Sequence, residues 1–343
     1  MKVMATFAGN YPYKGVKIVI AMAAAAVLTR AIRPQFRNPR LSSATSSHFL
    51  IHDRRSFSSY LVAPKELSEA LKKNPPSKIA TTPRTVALCG TWFLPNDGRN
   101  GLQTFREKRI PNARFFDLDK VIDKRSPYPH MLPSASDFAT AMSSLGIRRD
   151  DTVVVYDSHE MGLFSAPRVA WTLRVFGHPA VHILNNFKLW VDEGYPTESG
   201  EFWDVDTCAY PIPELEASNV VEFEEIKELA KDYNKEGAEG VQILDARSNG
   251  RWKGTDPEPR PGLSSGHMPG SISMPMTELL DPGIDPQRPI ITSCGTGVTA
   301  AVIDAALVEA GYGDESKRRL YDGSWTEFAQ RVKPSDSLII KQA

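Results

Sequence analysis

The chain has 343 residues, enough for two domains of ordinary size, each with its own core. Its 41 lysines and arginines balance 41 aspartates and glutamates, which argues against a nucleic-acid or anionic-surface partner for the protein as a whole. Cys89, Cys208 and Cys294 are too few for a disulfide framework and too widely spaced for a metal centre, so the sequence suits a reducing compartment and implies no metal.

The even balance hides a local bias. Residues 1–60 carry nine lysines or arginines and a single acid, Asp53, among many serines and alanines. That composition is expected of a mitochondrial transit peptide over residues 1–57, with cleavage near Phe57 in Arg55-Ser56-Phe57-Ser58-Ser59 and a cytosolic form as the alternative. Residues 18–29 form an uncharged stretch that invites comparison with a secretory signal core. It is far short of the ~20 residues needed to span a bilayer, and the arginines that follow argue against secretion. No membrane association is expected.

Beyond the leader one pattern occurs twice. The first copy has a strand at Val86-Ala87-Leu88-Cys89, a turn at Arg109-Ile110-Pro111-Asn112-Ala113 and a strand at Val153-Val154-Val155-Tyr156-Asp157. A helix around residues 166–175 follows, then His182-Ile183-Leu184-Asn185 leading to Trp190. A polar, proline-containing stretch reads as a linker, placed at 201–218. The second copy has Val241-Gln242-Ile243-Leu244-Asp245, the Gly266-His267-Met268-Pro269-Gly270 turn, a strand ending at Cys294, a helix, and Leu320-Tyr321-Asp322-Gly323-Ser324-Trp325. Short β-rich runs alternating with helical patterns predict an α/β fold: two domains, 62–200 and 219–337, each a mainly parallel sheet flanked by helices.

The chemistry concentrates at Cys294. An apolar strand ends in this thiol, a small loop of Gly295, Thr296 and Gly297 follows, and Val298 and Thr299 open a long apolar helix stopped by Gly311. Loop amides and a helix N-terminus favour an anion at their centre, a setting that activates a thiol as nucleophile. A buried core cysteine is the other reading of the same pattern. The first copy has Asp157 at this place, followed by Ser158-His159-Glu160, and so lacks the nucleophile. A cysteine phosphatase would need an arginine six positions after the thiol to grip phosphate, but residue 300 is alanine. No glycine-rich nucleotide motif is present, and no cofactor is implied.

Together with Phe115-Phe116-Asp117-Leu118-Asp119, Ser126-Pro127-Tyr128-Pro129-His130-Met131-Leu132-Pro133, Ser165-Ala166-Pro167-Arg168 and Gly254-Thr255-Asp256-Pro257-Glu258-Pro259-Arg260, these features resemble the tandem rhodanese family, in particular its 3-mercaptopyruvate sulfurtransferases. The resemblance runs from about residue 64 to 334. It implies two rhodanese-like domains with the active site at their interface, a Cys294 persulfide, and a substrate gripped by Arg251 and Arg260. It also implies an acid–histidine–hydroxyl relay of Asp119, His130 and Thr296. The neutral Gly295 and Thr296 look like a loop for mercaptopyruvate rather than for thiosulfate, whose relatives carry basic side chains there. Thiosulfate sulfurtransferase, or a sulfur-relay carrier toward tRNA thiolation, is the alternative. A thiol or cyanide would accept the sulfur, with thioredoxin or a sulfur-relay protein as the expected partner. Departures from the family pattern are Thr296 for serine, Phe164 for tyrosine, Asn185-Asn186-Phe187 for Asp-Gly-Gly, and Cys89 for aspartate. On the residues alone, His130 reads as an exposed loop histidine, Asp119 as a helix cap and Cys89 as a core residue.

Overall fold

The computed structural model describes residues 57–75, 82–202, 205–233, 240–277 and 284–342, so the transit-peptide assignment lies outside the described residues except for Phe57. The first half contributes strands β1 (Leu61–Val62), β2 (Thr85–Cys89), β3 (Arg114–Phe115), β4 (Thr152–Tyr156) and β5 (Val181–Leu184). Helices α1 (Pro64–Lys72), α2 (Gly101–Glu107), α3 (Ala135–Ser144), α4 (Ala166–Val175) and α5 (Phe187–Asp192) connect and follow them. The second half contributes β6 (Val220–Val221), β7 (Gln242–Asp245), β8 (Ile272–Ser273), β9 (Ile290–Ser293) and β10 (Arg318–Tyr321). Its helices are α6 (Phe223–Asp232), α7 (Asn249–Lys253), α8 (Val298–Ala310) and α9 (Ser324–Arg331).

The two sheets have the same topology, β1-β5-β4-β2-β3 and β6-β10-β9-β7-β8, and every pairing between these strands is parallel. The repeat seen in the sequence is therefore a repeat of fold. The middle strand of the first sheet, β4, is buried along its whole length because helices cover both faces, which is why it reads as an unbroken apolar run. Its side chains still alternate. Val153 and Val155 enter the large shared core, while Val154 and Tyr156 face an outer layer with Phe187 and Trp190.

The shared core joins the halves. Ala166, Val169, Ala170 and Leu173 of α4 belong to the same apolar cluster as Ala300, Ala301, Val302 and Ile303 of α8. Helix α8 is apolar on nearly every side because it lies between the two sheets. Its one buried acid, Asp304, faces Arg174 of α4 across the interface at 3.6 Å. The first described residues also cross it: Ser59 Oγ and the Leu61 N–H donate to the Glu309 carboxylate at 2.6 and 2.9 Å.

The stretch between the sheets is pinned by Tyr210, which is buried and donates its hydroxyl to His178 Nδ1 at 2.9 Å. His178 Nε2–H donates in turn to the Asp151 carbonyl at 2.9 Å. Burial pushes the imidazole from 6.5 down to about 4. The fold thus accommodates the neutral ring, whereas the unfolded chain takes up a proton as pH falls below 6.5. Stability from this site is complete above that value and is lost as pH falls toward 4, by about 3 kcal/mol in all. Urea midpoints at pH 7 and 4.5 for the protein and a His178→Gln variant check this: the variant's acid loss should be smaller by about that amount, and equal losses would acquit His178.

Candidate active site

Cys294 stands at the C-terminal end of β9, where parallel α/β sheets open their crevices. It is 2% exposed. Its N–H donates to Ser324 Oγ at 3.2 Å and its carbonyl accepts from the Trp325 N–H at 2.9 Å. Gly295 is fixed next to it, its carbonyl accepting from the Thr326 N–H and hydroxyl at 3.0 and 2.7 Å. The chain then turns through Gly297, whose φ of +76° suits glycine, and enters α8 at Val298 and Thr299. Among the described residues the N–H groups of Gly295 to Thr299 have no hydrogen-bond acceptor, so the loop and the positive end of α8 offer free donors beside the thiol.

The first domain has closed the corresponding place with its own side chain. Asp157, 1% exposed, accepts the N–H groups of Phe164, Ser165 and Ala166 at 2.7, 3.0 and 2.9 Å and the Ser165 hydroxyl at 2.5 Å. A fixed carboxylate thus occupies the anion position at the start of α4. Cys89 is likewise no reagent: it lies in the outer core, and burial pushes its thiol up to about 12.

The predicted relay assembles across the domain interface. Thr296 Oγ1 lies 3.1 Å from His130 Nδ1, and His130 Nε2 lies 3.1 Å from Asp119 Oδ1. The His130 hydrogen bond holds the Asp119 carboxyl below its usual range, against some burial. Burial, together with the charges of Arg168 and Arg260, lowers His130 although Asp119 opposes them. A neutral ring facing a carboxylate carries its proton on Nε2, so Nδ1 is left to accept from the Thr296 hydroxyl.

Two sequence-level expectations need correction. His130 is not an exposed loop histidine but 3% exposed, packed edge-on against Trp92 at 4.7 Å between ring centres. Asp119 does not cap a helix: it lies in a turn, its side chain 65% exposed, accepting from Trp92 Nε1 at 3.0 and 3.1 Å. The proline-rich local sequence suggested exposure, but the second domain covers this loop.

The two arginines expected to bind substrate differ. Arg251 lies against the loop, with Nη2 3.2 Å from where a Cβ on Gly295 would stand. Its guanidinium is occupied by Glu258, through Nε at 3.2 Å and Nη2 at 2.6 Å. The side chain of Glu258 is 2% exposed and also pairs with Arg247, which is bound to Asp245. Arg260 has no hydrogen bond or ion pair among the described residues. Burial and the nearby Arg251 charge depress its pKa, while the field of Cys294 opposes this, which places the two groups in one electrostatic neighbourhood. A half-buried cation without a fixed partner is suited to a ligand carboxylate.

Sequence reasoning gave no role to several residues that build this site. Arg168 and Asp322 pair across the interface, and Ser324 braces the Cys294 amide. Arg168 belongs to a stretch that carried the family resemblance, and Asp322 and Ser324 to the repeat, so a signal was present. Trp92, which supports both His130 and Asp119, gave none.

Residues 225–331 match the family model for the rhodanese-like domain. The chain is 40% identical over 301 residues to a probable 3-mercaptopyruvate sulfurtransferase of Schizosaccharomyces pombe, covering 82% of this chain and 96% of that one. It is 41% identical over 283 residues to the thiosulfate sulfurtransferase TUM1 of Saccharomyces cerevisiae, covering 73% and 90%. The cryo-EM structure of the sub-stoichiometric sulfur transferase subunit of yeast mitochondrial complex I superposes with a TM-score of 0.72 at 36% identity, over 83% of this chain and all of that one. With identity sustained through both repeats, the chain belongs to the tandem rhodanese-like sulfurtransferases.

Proposed function

We propose that this sulfurtransferase takes its sulfur from 3-mercaptopyruvate and carries it as a persulfide on Cys294. The Cys294 proton passes through the Thr296 hydroxyl to His130 Nδ1, leaving a thiolate and an imidazolium that faces Asp119. The thiolate attacks the substrate sulfur: an S–S bond forms, the C3–S bond breaks, and its electron pair stays on carbon as pyruvate enolate. The proton returns through Thr296 to that carbon, releasing pyruvate and leaving Cys294–S–SH. A thiol takes the outer sulfur as its own persulfide, or cyanide takes it as thiocyanate, and the Cys294 thiol is restored. The free amides of Gly295 to Thr299 stabilise negative charge on the attacking and departing sulfur.

The observation that carries the substrate assignment is the unpaired Arg260 beside a loop with no cationic side chain of its own. A carboxylate donor uses that guanidinium, with Arg251 held alongside by Glu258. Steady-state rates with cyanide as acceptor are expected to give a higher kcat/KM for 3-mercaptopyruvate than for thiosulfate. Arg260→Gln should raise the mercaptopyruvate KM about 10- to 100-fold by removing a charge-assisted pair. A preference for thiosulfate would replace this assignment with the activity named for the Saccharomyces cerevisiae relative.

The arginine-rich leader and the mitochondrial setting of a similar yeast subunit support a mitochondrial location, with a cytosolic form as the alternative. The sulfur acceptor we assign is a small thiol or a thioredoxin or relay protein. The division into domains 62–200 and 219–337 joined by 201–218 remains our reading of the repeat.

A further inference from the structure

We propose that Arg168 and Asp322 form an interdomain positioning pair that holds the His130 backbone in its relay conformation, so that domain docking sets the relay geometry. This rests on the relay reading given above. Arg168, on α4 of the first domain, is 1% exposed. Its Nη2 donates both to the His130 carbonyl, at 2.6 Å, and to Asp322 Oδ1. Asp322, just after β10 of the second domain, uses its other oxygen to accept the Leu132 N–H at 2.9 Å. The ion pair therefore grips the loop on both sides of Met131. Between those grips His130 holds a φ of +63°, a left-handed conformation that a histidine adopts only at a cost and that must be imposed by its surroundings.

The same guanidinium abuts the nucleophile loop. A Cβ on Gly297 would lie 2.5 Å from Arg168 Nη1 and 3.1 Å from the Asp322 carbonyl oxygen. One side chain thus fixes the separation between the segment carrying Thr296 and the segment carrying His130, the 3.1 Å over which their proton moves. Nε and Nη1 of Arg168 are buried with no hydrogen-bond partner among the described residues, and its guanidinium lies over the Trp171 ring at 4.5 Å.

The test is a double-mutant cycle on the full-length mature protein, measuring pyruvate release from 3-mercaptopyruvate with cyanide as acceptor. Arg168→Met is expected to lower kcat about 10- to 100-fold with KM within about threefold, since misplacement of a relay by an ångström costs about that much. In a His130→Ala background the same change should cost less than about threefold, because the group it positions is gone. Asp322→Asn, which keeps an acceptor for Leu132, should lower kcat less than Arg168→Met does. The doubly changed Arg168→Met, Asp322→Asn protein avoids an isolated buried charge, and thermal unfolding scores folding in each case.

A pH profile supplies a readout that a purely structural role would not move. The groups facing His130 are Asp119, Thr296, Trp92, Arg168 and Arg260, with Asp322 behind Leu132. Removing the Arg168 cation should shift the acid limb of kcat to higher pH. Equal losses from Arg168→Met with and without His130, or losses that follow only the folded fraction with an unmoved acid limb, overturn the proposal and leave the relay standing. Full activity of His130→Ala by itself would overturn the relay and this pair with it.

Discussion

Cys294→Ser protein is expected to fold and to release no measurable pyruvate from 3-mercaptopyruvate, a loss of at least about 10⁴-fold in kcat. The thiol is the only group at the end of β9 that can hold transferable sulfur, and serine keeps its shape without its nucleophilicity. At 2% exposure the side chain at this position is shielded from bulk water. Folding should cost about 1 kcal/mol at most, because the position is braced through backbone bonds to Ser324 and Trp325 rather than through the side chain. Mass spectrometry after donor treatment should find one added sulfur on native protein and none on the variant. Cys89 gives the internal control, since a thiol held near 12 stays protonated and unreactive. Full activity of the serine variant would end the persulfide mechanism.

His130→Ala is expected to lower kcat by about 10²- to 10⁴-fold with little change in KM, the usual span for loss of a general acid–base. The pH profile should carry the same signature. The competent ring is neutral, so activity is lost as pH falls through its pKa, and that pKa lies below 6.5 because burial outweighs the pull of Asp119. Pyruvate release by the native enzyme should therefore persist to lower pH than an ordinary imidazole would allow. The variant should lose this limb. Asp119→Asn should cost much less, since a carboxylate that is 65% exposed is screened by water and mainly orients Nε2. A native profile that falls already above pH 7, or a His130→Ala rate equal to the native one, would remove the histidine from the chemistry.

Much of the fold could be read in advance because parallel sheets covered on both faces demand apolar runs. Val153-Val154-Val155 and Ile290-Ile291 could hardly be anything else, and each is the middle strand of its sheet. The replacement of Cys294 by Asp157 was equally visible in the aligned repeats. Its consequence was not: only the folded loop reveals the carboxylate filling its own anion site with three backbone N–H groups.

The relay shows the boundary most clearly. Proline-flanked His130 carries the local signature of a solvent-facing loop, and the chain separates it from Thr296 by 166 residues. No local pattern encodes burial by another domain. The family resemblance supplied the grouping of Asp119, His130 and Thr296, whereas the distances, the neutral state of the ring and its left-handed backbone came from packing. Arg251 and Arg260 looked alike as two arginines in one proline-rich segment. Tertiary structure separated them, because only Arg251 reaches Glu258. The sequence by itself determined two parallel-sheet repeats, which of them holds the thiol, and a nucleophile at a helix start, since hydrophobic period and turn chemistry are local. The docking of α4 on α8 decided the rest. It buries His130, brings Arg168 to Asp322 and sets the charges around the imidazole, because charge and desolvation depend on three-dimensional neighbours rather than on order along the chain.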